Sequence, residues 1–151
     1  DEKIEIAKNS GYEHVINYTS SDFSEKVLEI TNGEGVPAVF DGVGKKTFQG
    51  SIKCLKKRGF LISFGNASGP LDLVNVAKEI QPKSLYLTRP TMGHYFGNRK
   101  ELQDGADAMF EKIKFGMIKI KIFKEFKLKD ARIAHEQLES RKLLGPCILV
   151  P

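Results

Sequence analysis

Two short apolar runs, each ending in a cluster of small residues, constrain the fold most. They are AVFDGVG at residues 38–44 and LISFGNASG at residues 61–69. Buried parallel strands have this pattern, because both faces of the sheet are covered and the alternation of polar and apolar residues is lost. Small residues at the carboxyl ends of such strands let a ligand approach the backbone. Two such strand ends predict a dinucleotide crevice.

Strands and helices alternate along the first three quarters of the chain. The pattern predicts strands at residues 15–18, 38–40, 60–64 and 85–88 and helices at 4–9, 20–30, 45–57 and 99–115. This order is typical of a doubly wound, helix-covered parallel sheet of the α/β class. Such a sheet opens with a strand, a glycine-rich turn and a helix. None of these precedes the first predicted helix, so we expect a truncated Rossmann sheet that lacks its first βα unit.

The pattern changes after Gly116. Residues 118–122 alternate isoleucine and lysine, a helix is predicted from about Leu128, and residues 147–150 form a last apolar strand. We therefore place a boundary here, with a partial nucleotide-binding domain at 1–116 and a C-terminal segment at 117–151. The chain begins at Asp1 inside a helical pattern, so we expect further sequence before it.

The net charge of +5 raises the possibility of a nucleic-acid binder, and seven lysines lie between Lys112 and Lys129. Lysines that alternate with isoleucines indicate the solvated face of a strand. In this alternating run, no aromatic side chain interleaves with Lys119 and Lys121 as stacking platforms require. No apolar run approaches the roughly 20 residues of a membrane span. We therefore predict neither nucleic-acid nor membrane binding.

The cysteines and histidines predict no metal site. The two cysteines, Cys54 and Cys147, are too few for a disulfide framework, which favours a reducing, cytoplasmic location. The three histidines are scattered and lack zinc-ligand spacing. No serine-histidine-aspartate, paired-carboxylate or nucleophilic-cysteine arrangement stands out. Asp41 precedes glycine at a strand end, which is typical of a carboxylate that braces a turn.

Several segments resemble the quinone oxidoreductases, the zeta-crystallin-like, zinc-free branch of the medium-chain dehydrogenase/reductases. The resemblance runs from Lys3 to Pro151, and the stretch LKDA at 128–131 with the stretch LESR at 138–141 is especially specific. Other segments that carry it are VINY at 15–18, FDGVG at 40–44, SFGNASG at 63–69 and LTRP at 87–90.

The resemblance implies the second half of a two-domain reductase. In this family a GroES-like catalytic domain, built on a partly open β-barrel, precedes the nucleotide domain, and the final segment returns to it. The implied function is hydride transfer from NADPH to a quinone without metal, in which the cofactor carries the chemistry. We predict that these 151 residues alone do not turn over quinone.

The resemblance also implies the residues that bind the cofactor. Lys3 and Tyr18 correspond to the site of the adenosine 2′-phosphate, where an ammonium and a phenol suit a dianion. From the residues alone, a solvated helix lysine and a tyrosine covering a strand end would be favoured instead. Arg141 follows the last helix and suits a phosphate, although an arginine at a helix C-terminus also complements the dipole.

Three strand-end segments complete the implied cofactor site. Gly42, Val43 and Gly44 resemble the turn beside the ribose and pyrophosphate, and several family members carry serine in place of Gly42. Phe64, Gly65 and Asn66 resemble the segment near the nicotinamide ribose. Thr88, Arg89 and Pro90 resemble the backbone that meets the nicotinamide amide. Glycine-rich tight turns have the same composition without any ligand.

The strand from Leu85 to Thr88 implies a homodimer, because in the family this strand pairs with its twin across a dimer and its apolar edge suits such pairing. Two alternatives to a quinone reductase stay open. One is a reductase of the same superfamily that acts on enones or aldehydes. The other is a non-catalytic binding or structural module.

Overall fold

The computed structural model describes residues 2–140 and 143–151. The chain forms two compact units. The central unit is His14–Asn98, and the terminal unit combines the described residues of Asp1–Glu13 and Arg99–Pro151. Both turns singled out in the sequence belong to the central unit.

A parallel sheet organises the central unit. Its helices and strands are α2 (Phe23–Ile30), β1 (Val36–Asp41), α3 (Phe48–Cys54), β2 (Leu55–Ser63), β3 (Tyr86–Thr88) and α4 (Met92–Tyr95), with a π-helical turn at Val76–Ile80 and a 3-10 turn at Gln81–Lys83. The strands lie in the order β1-β2-β3, and both pairings are parallel. Leu61 of β2 is in register with Val39 on one side and Leu87 on the other. The predicted α/β class with a parallel sheet is confirmed.

The core of the central unit lies on one side of this sheet. Phe48, Leu55, Leu61 and Leu85 are its buried residues, and Leu55 and Leu61 are fully buried. α3 contributes Phe48 and the adjoining Ile52. Cys54, the last residue of α3, is 2% exposed.

The opposite side of the sheet carries aromatic residues. Phe60 and Tyr86 are in register on adjacent strands. Their rings stack with centroids 4.5 Å apart, and both side chains are about half exposed. Ala38 is in register with Phe60, so Phe40, two residues further along β1, lies on the same face. Phe40 is exposed as well. This face is therefore apolar, whereas the buried face carries the aliphatic core.

The terminal unit contains a second, two-stranded parallel sheet. Its elements are α1 (Glu2–Asn9), α5 (Arg99–Lys114), β4 (Lys124–Lys127), α6 (Ala131–Glu139) and β5 (Cys147–Val150). Phe126 of β4 lies in register with Leu149 of β5. Phe126, Ala134 and Leu143 form the small buried core of this unit. The helix predicted at 99–115 and the final strand predicted at 147–150 are confirmed.

Two predicted strands are wrong. Residues 15–18 form no strand, because a strand needs a hydrogen-bonded neighbour and the described residues supply none for this segment. The strand predicted at 118–122 lies instead at β4. The four residues of β5 pair with Lys124–Lys127, where Phe126 is buried against Ala134. Ile118 and Ile120 stay exposed.

Two helix boundaries also differ from the prediction. The helix expected at 45–57 spans only Phe48–Cys54, because Leu55 is already extended and begins β2. The helix expected from residue 20 begins at Phe23, and its N-cap is Asp22. Its carboxylate accepts hydrogen bonds from the N–H groups of Ser24 (2.8 Å) and Glu25 (3.3 Å).

None of the helices in residues 2–140 and 143–151 combines the length and the apolarity that crossing a bilayer requires.

The domain boundary predicted near Gly116 concerns packing against a catalytic domain, and it stays a prediction.

Candidate functional site

The turns after β1 and β2 are joined by backbone hydrogen bonds. Carbonyl oxygens of the first turn accept from N–H groups of the second: Phe64 N to Asp41 O (2.9 Å), Gly65 N to Asp41 O (3.3 Å), Ala67 N to Gly42 O (3.3 Å) and Ser68 N to Val43 O (2.7 Å). The carboxyl ends of adjacent parallel strands lie at the same edge of the sheet. The two small-residue segments therefore meet, as the sequence pattern predicts.

Close approach requires glycine at two positions of these turns. A Cβ atom on Gly65 would lie 2.2 Å from the carbonyl oxygen of Gly42. Gly44 has φ +88°, in the left-handed region, and a Cβ there would lie 2.7 Å from the carbonyl oxygen of Gly69. The backbones of the two turns consequently form one tightly packed surface.

Arg89 joins the end of β3 to the same surface. Its Nη1 donates to the carbonyl oxygen of Ser63 (2.9 Å) and to Oδ1 of Asn66 (3.3 Å). The sequence prediction gave the Thr88–Pro90 segment a backbone role only. The guanidinium shows a second role, because it fixes the side chain of Asn66 beside the turn that follows β2.

A pocket of about 300 Å³ opens beside the first turn. Its polar lining residues are His14, Tyr18, Asp41, Thr47 and Ser51, together with Gly42 and Val43 of the turn. Apolar side chains, including Val39 and Phe40 of β1, complete it. Tyr18 is 52% exposed and also lines a neighbouring open groove with Lys46 and Gln49. The structure thus brings the predicted Tyr18 and the predicted turn to one pocket.

Asp41 carries the buried charge of this pocket. Its side chain is 5% exposed. Burial opposes ionisation, but hydrogen bonds from Gly44 N–H, Ser51, Thr47 and Val43 N–H outweigh it and lower the pKa of the carboxyl below its ordinary value. Asp41 is therefore a carboxylate at neutral pH, and its predicted role in bracing the turn is confirmed.

Two further predicted cofactor residues are Lys3 and Arg141. Lys3 is an exposed residue of α1 in the terminal unit. Arg141 lies outside the described residues. The cofactor roles of both stay predictions, as do those of Tyr18 and the three strand-end segments.

Sequence reasoning missed Thr47 and Ser51. Both hydroxyls donate to Asp41, and both line the pocket. A recognisable signal was available, because positions 47 and 51 are one helical turn apart and follow the Asp-Gly-Val-Gly turn directly. In the described part of the chain, no group of three histidine, cysteine, aspartate or glutamate side chains is placed to hold a metal ion.

Comparison with known proteins places the chain in a family. The sequence model of the family described as zinc-binding dehydrogenase matches residues 1–112. The chain belongs to this family, as the nucleotide-binding part of the medium-chain dehydrogenase/reductases.

Three relatives illustrate the similarity. The chain is 43% identical to the quinone oxidoreductase of Salmonella typhimurium and 40% identical to the 2-haloacrylate reductase of a Burkholderia species, covering 99% and 100% of this chain. It matches the crystal structure of Escherichia coli quinone oxidoreductase complexed with NADPH at a TM-score of 0.92 and 41% identity, covering 99% of this chain and 47% of that one. The chain spans 46% of each of the first two relatives, about half their length.

Proposed function

We propose that this chain is the cofactor-binding portion of an NADPH-dependent oxidoreductase that reduces quinones. One observation carries the proposal. Tyr18 and the Gly42–Gly44 turn line one pocket at the carboxyl end of a parallel sheet, in a chain 41% identical to a quinone oxidoreductase solved with NADPH. Open α/β sheets bind nucleotides at this edge.

The residues at this edge fit a dinucleotide. The glycine-packed turns offer a surface that a ribose and a pyrophosphate can approach closely, and Tyr18 offers a half-exposed hydroxyl beside it. From the family resemblance we assign Lys3 and Tyr18 to the adenosine 2′-phosphate, Arg141 to a phosphate of the cofactor, and the turns at 42–44, 64–66 and 88–90 to the remainder of the dinucleotide. When bound, NADPH supplies a hydride. The role of this chain is to bind and orient it.

The acceptor is proposed to be a quinone, which takes up one hydride and one proton to become a hydroquinone while NADPH becomes NADP⁺. A second candidate rests on the 40% identity to a 2-haloacrylate reductase. There the hydride would add to an electron-poor carbon–carbon double bond. The two acceptors share a conjugated, electron-poor π system, so the same bound nicotinamide can serve either.

Selective cofactor binding tests the proposal. In the full-length protein that contains this chain, calorimetry should give tighter binding of NADPH than of NADH. Lys3→Ala and Tyr18→Phe should each remove most of this preference, because each deletes a donor to the 2′-phosphate. Lys8→Ala and Tyr12→Phe are matched controls, since Lys8 is also on α1 and Tyr12 is also exposed. Equal affinities for the two cofactors in the wild-type protein would refute the proposal.

The acceptor is identified by the oxidation of NADPH with a quinone and with a 2-haloacrylate as separate substrates. Turnover of quinone supports the first candidate, and turnover of the haloacrylate alone supports the second. A nucleic-acid module would instead show affinity for DNA that falls steeply with salt.

The cytoplasmic location and the inactivity of these 151 residues alone stay predictions.

We also propose that the protein forms a homodimer through β3. This strand lies at one edge of the sheet, and Tyr86, Leu87 and Thr88 are exposed there. An exposed edge with apolar side chains favours pairing with the same strand of a second copy. Light scattering of the full-length protein tests the stoichiometry.

A further inference from the structure

The carboxylate of Asp41 receives hydrogen bonds from four groups around the turn. Oδ1 accepts from the N–H groups of Val43 (2.9 Å) and Gly44 (3.0 Å) and from the hydroxyl of Thr47 (2.9 Å). Oδ2 accepts from the hydroxyls of Thr47 (2.8 Å) and Ser51 (2.8 Å). One side chain thus connects the end of β1, the turn and the first two turns of α3.

This network decides which backbone groups the turn presents to the pocket. The N–H groups of Val43 and Gly44 point to the carboxylate, so they are not directed at a ligand. The carbonyl oxygens of Gly42 and Val43 are taken by Ala67 and Ser68. Of the turn residues, Gly42 and Val43 line the pocket, and their position depends on the carboxylate that holds the turn.

The network is also part of the pocket wall. Asp41, Thr47 and Ser51 line the same cavity as Tyr18. All three side chains of the network are buried, at 5%, 9% and 2% exposure. A hydrogen bond to a buried charged group contributes more than one between neutral groups, and a partner left unsatisfied there is costly. Loss of one hydroxyl should therefore shift the turn.

We propose that Asp41, together with Thr47 and Ser51, is a positioning group for the dinucleotide: it holds the Gly42–Gly44 turn in the conformation that binds the cofactor. The inference rests on the proposed function. It adds that cofactor affinity depends on three side chains that need not touch the cofactor. A network that only stabilised the fold would change the melting temperature and leave the affinity of the folded protein unchanged.

Two substitutions of Thr47 separate these roles. Thr47→Val keeps the shape of the side chain but removes the hydroxyl, whereas Thr47→Ser keeps the hydroxyl and removes a methyl group. Both should lower the melting temperature, because Thr47 is buried. Only Thr47→Val should raise the Kd for NADPH, by about tenfold, the effect expected when a hydrogen bond to a charged group is lost. Thr47→Ser should stay within about twofold of the wild type.

The measurement is a fluorescence titration of the full-length protein with NADPH, with calorimetric melting of each variant. Asp41→Asn gives a second readout, since it should raise KM for NADPH while kcat at saturating NADPH changes little. If Thr47→Val and Thr47→Ser weaken binding equally, or if neither does, the network is structural only and the inference is wrong. If the wild-type protein itself binds no NADPH, the proposed function fails first, and the inference fails with it.

Discussion

Single side chains hold the strand-end turns of the central unit in place. Asp41 satisfies two N–H groups and two hydroxyls, and Arg89 fixes the carbonyl of Ser63 and the amide of Asn66. Both are charged groups whose partners are mainly neutral dipoles. The contacts of Asp41 are sensitive to protonation of its carboxyl group, and the contacts of both residues are sensitive to small displacements of the backbone.

The stability of the central unit should fall at acid pH through Asp41. Its pKa in the folded state lies below the ordinary value of 3.8. The carboxylate therefore contributes stability that is fully present above about pH 4 and is lost as the pH falls through the lower, folded-state pKa. In urea unfolding between neutral pH and pH 3, the free energy of unfolding should fall more steeply with pH in the wild type than in Asp41→Asn. Asp72→Asn is the control for a change of one charge, because Asp72 is an exposed partner of Lys45. Equal slopes in all three proteins would contradict the prediction.

Gly65 should tolerate no side chain. Gly65→Ala places a Cβ 2.2 Å from the carbonyl oxygen of Gly42, so one of the two turns must move. We expect a loss of about 1–3 kcal/mol in the free energy of unfolding, together with weaker NADPH binding. Gly93→Ala is the matched control: nothing lies within 4 Å of its added Cβ, and the residue is in helix α4. Chemical denaturation of both variants gives the comparison, and a neutral Gly65→Ala would show that the turns are not tightly packed.

Among the elements, α3 depends on a partner outside itself. Lys83, in the 3-10 turn before β3, donates through Nζ to the carbonyl oxygens of Ile52 (3.3 Å), Lys53 (2.9 Å) and Leu55 (2.6 Å). These are carbonyl groups at the C-terminus of α3 and the start of β2, where the helix dipole favours a cation. Burial lowers the pKa of Lys83, with a smaller opposing effect from Cys54. The ammonium thus provides a hydrogen-bond donor for the carbonyl groups at the C-terminal end of α3.

Removing this ammonium should destabilise the central unit. Lys83→Met keeps the length of the side chain but removes the hydrogen bonds from the ammonium to the three carbonyl groups, so the free energy of unfolding should drop by about 1–2 kcal/mol. Lys78→Met, at an exposed position of the preceding π-helical turn, should change it by less than about 0.5 kcal/mol. Chemical denaturation at neutral pH measures both. Equal effects of the two variants would assign no capping role to Lys83.

The sequence predicted elements best where periodicity or small residues were decisive. α5, β1 and β5 follow directly from their patterns, and the meeting of the two turns follows from the parallel sheet. The strands at 15–18 and 118–122 were wrong because strand propensity is realised only where a neighbouring strand supplies hydrogen bonds. Side-chain networks were harder still. The bonds from Thr47 and Ser51 to Asp41 depend on where α3 begins, which the hydrophobic pattern placed three residues too early.

For the protein as a whole, assembly should depend on the free edge of β3. In the proposed dimer, Leu87→Lys places like charges near each other across the pairing of the two strands, which opposes edge-to-edge association. We expect the full-length variant to shift from dimer to monomer in sedimentation velocity. Leu73→Lys, at a fully exposed position outside any strand, should leave the assembly unchanged. A dimeric Leu87→Lys variant would exclude this edge as the interface.

The rate at which Cys54 is chemically modified should report how fast the central unit opens. The thiol is buried at the end of α3, and burial raises its pKa, so the reactive thiolate is doubly disfavoured in the native state. Cys147, on the short sheet of the terminal unit, is only partly covered. A chromogenic disulfide reagent should therefore modify Cys147 rapidly and Cys54 only as fast as the surrounding core opens. The slow phase then reports the lifetime of the folded central unit without any introduced label.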